Sequence, residues 1–233
     1  MTPPFNIFWF PIPAQLENDR VKLVPFIPSE HADPLFAGFQ AHDTLFAYLL
    51  WGPFASAEDL LTTLVDRVTA DPASLLFAVF HKKAQGGPAL AGIIGLFETS
   101  PESLATELAF LITLPQFQRT HITSNAIGLL LRWTLDTPAA GGLGLRRVAW
   151  KANARNTKSV RAAERMGFRK EGVLRWESVL PAWKTEVANG GGVREGDPVP
   201  GGLGRDTVLL SVCWDDWEGG VGESVKAIME RTS

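Results

Sequence analysis

The segment from Gln118 to Ser124 combines hydrogen-bond donors and a cation with a predicted helix start. The first amides of a helix lack partners within the helix and carry partial positive charge, so a helix start binds phosphate well. The guanidinium of Arg119 and the hydroxyls nearby would add donors. The segment therefore predicts a diphosphate site formed by Gln118, Arg119, Thr120, His121, Ile122, Thr123 and Ser124. The alternative is that Thr120 or Thr123 only caps the helix.

A second group of polar residues begins at Asn156. Ser159 follows three residues later, Gly167-Phe168 eleven residues later, and Glu171-Gly172 shortly beyond. This pattern resembles the second cofactor motif of the Gcn-related N-acetyltransferase (GNAT) superfamily, in the form used by RimJ/RimL-type enzymes. The resemblance extends over most of the chain, roughly from Arg20 to Trp217.

The resemblance implies a fold of the α/β (α+β) class, with a mixed, mostly antiparallel central sheet whose middle strands splay apart and are flanked by helices. It also implies acetyl-CoA as cofactor, with the pantetheine arm between the strands Ala109 to Leu114 and Val148 to Ala152. A backbone N–H near Phe110 or Leu111 would then face the thioester oxygen. The cofactor-binding residues that it implies outside the phosphate segment are Phe110, Leu111, Ile112, Asn153, Asn156 and Ser159.

The sequence departs from the family pattern at two places. The pyrophosphate turn of the family usually has glycine, and glycine or alanine, where this chain has His121 and Thr123. Glycine allows close approach of a phosphate, so His121 must turn aside or contribute a donor. Many family members also have a tyrosine seven residues after the asparagine, where this chain has Ala163.

Acetyl transfer to an amine requires a base for the amine and a donor for the developing oxyanion. Glu107 is the candidate base, directly or through water, because a carboxylate beside an apolar strand can have a raised pKa. It could instead only anchor a substrate amine or a basic side chain. Ser159 is the candidate acid; the alternatives are a water molecule or no acid, and Ser159 could also bond to its own helix backbone.

The acceptor pocket is expected between the first two helices, the last strands and the glycine-rich loop. Aromatic residues in these segments favour an apolar or aromatic amine or the first residues of a peptide, although each is by itself more typical of core packing. The candidates are Tyr48, Trp51, Trp176 and Trp183, together with Phe54. The four histidines have no metal-ligand spacing, so no metal site is predicted.

Hydrophobic periodicity predicts the elements that must position these residues. Strands are predicted at 21–26, 75–81, 91–98, 105–114, 146–152 and 208–214. Helices are predicted from Ser29, from Ser56 with Asp59 as an approximate capping box, over 120–137 and over 156–166. In the third helix a broad buried face is expected from Ile122, Ala126, Leu129, Leu130 and Trp133.

The length of 233 residues, with 45% hydrophobic and 20% charged residues, is typical of a globular domain. Residues 1–19 are expected to form an arm, 20–218 the GNAT-like domain, with 184–205 as a mobile glycine-rich inserted loop, and 219–233 a tail or short helix. The net charge of −3 disfavours nucleic acid, and no apolar run is long enough to span a membrane. A single cysteine favours a reducing, cytoplasmic setting.

Three classes of function fit the sequence. The first is an acetyl-CoA-dependent N-acetyltransferase that acts on a small-molecule amine or a peptide N-terminus, with a homodimer as a possible assembly. The second is a CoA-binding pseudoenzyme or sensor, suggested by His121 and by the missing tyrosine. The third is an unrelated α/β ligand-binding or assembly module.

Overall fold

The computed structural model describes residues 5–64, 68 and 71–231. Within that part of the chain, an eight-stranded sheet has the order β1-β2-β3-β4-β5-β6-β8-β7. The strands are β1 (Leu16–Glu17), β2 (Val21–Pro25), β3 (Leu75–His81), β4 (Ala89–Ser100), β5 (Ala105–Thr113), β6 (Arg147–Asn153), β7 (Arg169–Leu180) and β8 (Leu203–Cys213). All neighbouring strands are antiparallel except β5 and β6, which are parallel. The prediction of a mixed, mostly antiparallel sheet is confirmed.

Helices cover both faces of the sheet. They are α1 (Pro28–Phe39), α2 (Ala57–Leu64), α3 (His121–Leu135), α4 (Thr157–Arg165), α5 (Trp214–Asp216) and α6 (Gly222–Glu230), with the segment Trp217–Val221 between the last two. Short 3-10 turns lie at Asp43–Phe46, Pro115–Phe117, Pro138–Ala140 and Thr185–Val187. The predicted cap of α2 is confirmed, because Ser56 Oγ accepts a hydrogen bond from the Asp59 amide at 3.1 Å. The apolar side chains that predict this helix by their spacing are Leu60, Leu61, Leu64, Val65 and Val68; of these, Val65 lies outside the described residues.

The sheet separates two hydrophobic cores. Successive side chains of a strand point to opposite faces, and β3 illustrates this: Leu75 and Phe77 join the core under α3 and α6, whereas Leu76 and Ala78 join the core under α1 and α2. Because both faces are covered, β3 is a continuous apolar run rather than an alternating one. The five residues predicted as the buried face of α3 all lie in the first of these cores.

The two middle strands touch over only a short length. Their parallel register is Ala105 with Arg147, Thr106 with Val148 and Glu107 with Ala149. Beyond Glu107 and Ala149 no further pair joins the two strands, and each continues toward its own helix, β5 to α3 and β6 to α4. The predicted splay of the middle strands is therefore confirmed.

A bulge shapes β5 on the open side of this splay. Ile93 pairs with Ile112 and Gly95 pairs with Ala109, so Phe110 and Leu111 together face the single residue Ile94. Phe110 has a φ of 54°, a left-handed conformation that a side chain with a Cβ rarely adopts. A bulge leaves one residue out of the ladder and bends the strand, and here it turns β5 at the point where the strands diverge.

The first and last segments that the structure describes both pack against the rest of the protein. Along the N-terminal arm, the Asn6 side chain donates to the Phe26 carbonyl at 2.9 Å, and the rings of Phe8 and Trp133 lie 6.1 Å apart. At the other end, α6 packs on α3, where the side chain of Met229 occupies the space that a Cβ at Gly128 would need. The predicted C-terminal element is helical through 222–230, and its buried side chains belong to the first core.

The predicted glycine-rich loop is wrong at its two ends. Strand β8 begins at Leu203 rather than at Val208, so 203–205 belong to the sheet. At the start of the segment Lys184 is buried, and the Asn189 amide donates to the Gly204 carbonyl at 2.8 Å.

Strand β7 was not predicted at all, because most of its side chains are exposed and it lacks the apolar alternation of a half-buried strand.

Candidate active site

A cavity of about 1070 Å³ opens where β5 and β6 separate. Its walls come from β5 through 107–111 and Thr113, from β6 through Trp150, Lys151 and Asn153, and from the starts of α3 and α4. Two helix starts therefore meet one opening, at the carboxyl ends of the only parallel strand pair in the described sheet. This is the position where open α/β sheets bind ligands.

The predicted phosphate segment forms one wall of this cavity. Thr120 caps α3, since its Oγ1 accepts a hydrogen bond from the Ile122 amide at 3.3 Å, so the capping interpretation of Thr120 is correct. Arg119 before it has a φ of 61°, in the left-handed region. The residues of the segment that line the cavity are Gln118, Arg119, Thr120, Thr123 and Ser124.

His121 turns away from the cavity. Its ring lies against His81, with 5.1 Å between the ring centroids, and its Nε2 is buried with no partner among the described residues. Burial, reinforced by the charge of Arg20, lowers the pKa of His121, so the ring is neutral near pH 7. The side chain of Ile122 is in the core, and only its amide is near the helix start. His121, the bulky residue at the position where the family usually has glycine, therefore does not fill the opening of the cavity.

Thr123 occupies the second position at which this chain differs from the family pattern, and its side chain lies at the cavity wall. Its Oγ1 lies 2.8 Å from Thr113 Oγ1, so the hydroxyl bonds the helix start to the end of β5. Gln118 makes a similar bond, since its Nε2 donates to the Thr113 carbonyl at 3.1 Å. These contacts fix the turn between β5 and α3.

Helix α4 contributes three cations that sequence reasoning missed. Lys158, Arg161 and Arg165 all line the cavity. They are spaced i, i+3 and i+7, which places them on one face of the helix, and this spacing was a signal available in the sequence. With Arg119 they form a group that we name the cationic end of the cavity.

The carboxylate of Glu107 lies at the other end, where β5 leaves β6. About 20 Å of strand separates Glu107 from Thr113, the last residue of β5 before the turn that leads to the phosphate segment. The residue is 8% exposed, and burial raises the pKa of its carboxyl although Lys151, 3.0 Å from its Oε2, acts in the opposite direction. Its position at the cavity agrees with the prediction of a base, and the contact with Lys151 also matches the alternative of an anchor for a basic side chain.

Lys151 connects two carboxylates. Its Nζ lies 2.8 Å from Glu98 and 3.0 Å from Glu107. Burial acts to lower the pKa of Lys151, but the hydrogen bond to Glu98 and the charge of Glu107 outweigh burial and raise it. We name Glu98, Glu107, Lys151, Glu177 and Arg205, which all line the cavity, the mixed-charge end. Of these only Glu107 was predicted, because the others come from strands far apart in sequence.

The polar residues around α4 hold one another in fixed orientations. Asn156 caps the helix, with its Oδ1 accepting from the Ser159 amide at 3.1 Å. The Trp150 indole donates to Ser159 Oγ at 3.0 Å, and the Asn153 side chain donates to the Val187 carbonyl at 3.0 Å. Asn153, Asn156 and Ser159 all line the cavity. Of the three β5 residues named with them, Phe110 and Leu111 line the cavity, whereas the side chain of Ile112 is in the second core.

Only two of the four aromatic residues predicted for the acceptor pocket line the cavity. Tyr48 and Trp51 line the cavity, and Trp51 stacks on Phe54 with 5.7 Å between centroids. Trp176 and Trp183 do not line it; they are 56% and 61% exposed. The Trp176 ring lies against glycine backbone of the 184–205 segment, and a Cβ at Gly191 would fall 2.4 Å from it.

These residues fit a ligand with phosphates at one end and a reactive acyl group at the other. Four cations and the first amides of α3 surround the cationic end, and nothing from His121 obstructs it. The divergent strands leave a passage from there to the buried carboxylate of Glu107. The donor set therefore matches an acyl-coenzyme A molecule.

Solved structures of similar fold were found in several bacteria. A GCN5-related N-acetyltransferase from Brucella melitensis is 26% identical, with a TM-score of 0.73 over 95% of this chain and 89% of that chain. A probable GNAT-family acetyltransferase from Chromobacterium violaceum is also 26% identical, with a TM-score of 0.70 over 88% of each chain. A spermidine N-acetyltransferase from Vibrio cholerae, solved with CoA and spermine, is 19% identical, with a TM-score of 0.60 over 86% and 99%. It shows likeness of fold alone.

A comparison with curated proteins gave no match. No helix in the described residues is long and apolar enough to cross a membrane. A family model described as an acetyltransferase (GNAT) domain matches residues 20–169, which is more than half of the chain. The chain therefore belongs to the GNAT acetyltransferase family and is an acetyltransferase whose cofactor is acetyl-CoA.

Proposed function

We propose that this protein transfers the acetyl group of acetyl-CoA to the primary amine of a small molecule, with a peptide or protein N-terminus as the competing acceptor class. The observation that carries the proposal is the Glu107 carboxylate, which is buried, faces the cavity where the strands part and has a raised pKa. A carboxylate of this kind is a suitable base for an ammonium group near neutral pH.

Glu107 accepts the proton that the acceptor ammonium must lose before the amine can react. Lys151 holds the carboxylate in place at 3.0 Å, and Glu98 shares the charge of that lysine. When bound, acetyl-CoA supplies the acetyl group as a thioester, an activated acyl donor. The bulge at Phe110 and Leu111 supports a backbone N–H aimed at the carbonyl oxygen of that group, because a bulge leaves a residue outside the ladder.

Ser159 serves as the acid for the departing thiolate. Its oxygen accepts a hydrogen bond from the Trp150 indole, which holds Ser159 Oγ at the cavity wall and leaves the hydroxyl its own proton to donate. Among the described residues, no helix carbonyl accepts a hydrogen bond from this hydroxyl. Asn156 holds the first turn of α4 and, with it, the position of Ser159.

The cationic end binds the phosphates of the cofactor. Arg119 approaches them from the turn before α3, and Lys158, Arg161 and Arg165 approach from α4. Apart from the Ile122 amide, which Thr120 caps, the amides of the first turn of α3 add donors, since their helix has no partner for them. Residues 118–124 bind mainly through these amides, which explains how His121 and Thr123 are tolerated in place of smaller residues.

The motif around Asn156, Ser159 and Gly167-Phe168 supports placement in the RimJ/RimL-like subgroup. The single cysteine favours a reducing, cytoplasmic setting. A homodimer through the sheet edge is supported by β7, an edge strand on which Val173, Leu174 and Val179 are exposed.

The competing function is a CoA-binding pseudoenzyme. One observation supports it: Ala163 occupies the position where many members of the family have a tyrosine, and its side chain is fully buried.

The test compares wild type with Glu107→Gln, using Glu102→Gln at an exposed position outside the cavity as the matched control. Release of free thiol from acetyl-CoA is measured with a panel of small primary amines and short peptides. We expect Glu107→Gln to lower kcat/KM by about 10²–10⁴ while the Kd of CoA is unchanged. Thiol release from no amine, with CoA still bound, would establish the pseudoenzyme instead.

The pH dependence provides a second readout. Because the base must be ionised, wild-type kcat/KM should rise tenfold per pH unit below the pKa of Glu107 and become level above it. Burial raises this pKa above its usual value of 4.5, so the rise should extend toward higher pH than for an exposed glutamate. The Glu107→Gln variant should lose this limb, and a limb that persists in the variant would remove Glu107 as the base.

A further inference from the structure

Arg205 is a cation of the mixed-charge end that has no partner. It lies on β8 opposite Ser178 of β7, and its side chain lines the cavity. Among the residues that the structure describes, no side chain forms an ion pair or hydrogen bond with its guanidinium, and its Nε is buried without a partner. A buried donor without a partner costs free energy, so a group of this kind at a cavity wall is a candidate for ligand binding.

The carboxylates around Arg205 are engaged elsewhere. Glu177 accepts hydrogen bonds from Ser178 Oγ at 2.7 Å and from Thr207 Oγ1 at 2.9 Å. Glu107 contacts Lys151 at 3.0 Å, and Glu98 contacts the same lysine. The guanidinium is thus near negative charge without being neutralised by a bonded carboxylate, and all five of its N–H groups remain available.

The mixed-charge end therefore offers two kinds of contact side by side. Its carboxylates suit an ammonium group, whereas Arg205 suits an oxyanion, which a guanidinium fork binds in bidentate geometry. Aromatic side chains cover the neighbouring wall of the cavity. There the ring centroid of Phe110 lies 5.7 Å from that of Phe97 and 6.5 Å from that of Trp51. An acceptor with an amine, a carboxylate and an apolar group would satisfy all three.

We propose that Arg205 binds a carboxylate of the acceptor, so that the preferred acceptor is an amine that also carries a carboxylate. This proposal rests on the proposed function and names its substrate class. Arg205 acts here as a specificity-determining residue, not as a participant in the proton transfers. The apolar wall favours an amino acid with an aromatic side chain over a polyamine, which would bring a second cation toward Arg205.

The experiment measures thiol release from acetyl-CoA with four matched amines: phenylalanine, phenylalaninamide, phenethylamine and the phosphonate analogue of phenylalanine. We expect kcat/KM for phenylalanine to exceed that for the amide and for phenethylamine on the order of 30-fold, the scale of a charge-assisted hydrogen bond. A preference for the phosphonate over phenylalanine would overturn the assignment to a carboxylate. Equal rates for phenylalanine and phenethylamine would overturn the role of Arg205 while leaving the acetyltransferase activity in place.

Two variants separate specificity from folding. Arg205→Met should abolish the preference for phenylalanine, measured as the ratio of its kcat/KM to that for phenethylamine, and Arg205→Lys should keep part of this preference because the charge remains. Arg175→Met is the matched control, since this arginine is exposed on β7 and does not line the cavity. A preference that survives Arg205→Met refutes the proposal. If Arg205→Met fails to fold, the Arg205→Lys ratio and the wild-type panel still decide the question.

Discussion

The cationic end and the mixed-charge end of the cavity differ in how the chain builds them. The cationic end comes from the turn before α3 and from one face of α4, and its side chains at Arg119, Lys158, Arg161 and Arg165 are exposed. The mixed-charge end is assembled from β4, β5, β6, β7 and β8, and its central carboxylate is 8% exposed. The first is local and open to solvent, whereas the second is long-range and centred on a buried group.

The difference between the two ends is expected to separate cofactor binding from proton transfer. Exposed cations and helix amides hold phosphates without having to shift a pKa, so they can supply binding energy with few tertiary constraints. A base must be desolvated to reach a useful pKa, and only packing from several strands provides that environment. Changes at one end should therefore alter cofactor binding, and changes at the other should alter turnover or the choice of acceptor.

The largest effect on cofactor affinity is expected at the cationic end. Arg119→Ala removes one guanidinium from the phosphate segment and should weaken CoA binding by about 1–3 kcal/mol, as for the loss of a charge-assisted hydrogen bond. Isothermal titration calorimetry with CoA measures this, and Arg146→Ala, at an exposed position away from the cavity, is the control. An unchanged Kd for CoA would show that Arg119 does not contact the phosphates.

A smaller effect is expected on the acceptor side from Lys184. Its buried Nζ donates to the carbonyls of Phe46 and Leu49, in the segment that carries the cavity residues Tyr48 and Trp51. Lys184→Met should raise the acceptor KM about fivefold, in line with ~1 kcal/mol for hydrogen bonds that position this segment. The Kd of CoA should not change, and Lys170→Met, at an exposed position on β7, is the control. The opposite pattern, with CoA binding weakened and the acceptor KM constant, would break the comparison.

The smallest effect concerns neither end. Glu171 accepts two hydrogen bonds of 2.6 Å from Arg147, and this contact lowers the pKa of the glutamate to about 2. Because the pair is partly exposed, Glu171→Gln should lower the free energy of unfolding by only about 0.5 kcal/mol. Denaturant unfolding measures this, with Glu195→Gln in an exposed loop as the control.

The pH dependence of that pair has a definite sign. The folded-state pKa of about 2 lies below the ordinary value of 4.5, so the stabilisation is complete above the ordinary value and is lost as the pH falls toward 2. Wild type and Glu171→Gln should therefore converge in stability at acidic pH. A stability difference that stayed constant down to pH 2 would contradict the ion pair as its cause.

Most of the fold was predictable because its elements carry local signals. Strand β3 has the predicted bounds, Leu75–His81, since its first six residues are apolar and most of them are buried on both faces of the sheet. The stop of α4 was also predictable, because Gly167 has a φ of 90° that favours glycine, and Phe168 after it is buried. Strand β7 was missed because exposed edge residues leave no periodic pattern.

The parts of the site formed by residues close together in the sequence were predictable, whereas the parts assembled from distant segments were not. The segment 118–124 and the residues near Asn156 could be found from short spacings. Trp176 was placed wrongly in the pocket, because an exposed aromatic and a pocket aromatic have the same sequence pattern, and its contact with Gly191 depends on the path of a distant loop. Arg205 was counted within that loop, although it belongs to a strand that lines the cavity.

By itself, the sequence determined where most strands and helices form, which helix start has a cation and hydroxyls beside it, and which family motif the chain contains. Helix caps, apolar periodicity and glycine stops are interactions between residues close in the chain. The tertiary structure alone decided that Glu107 is desolvated beside Lys151, that His121 turns toward His81, and that Arg205 lacks a partner. Burial and electrostatic pairing depend on neighbours brought together from distant strands, and no local spacing encodes them.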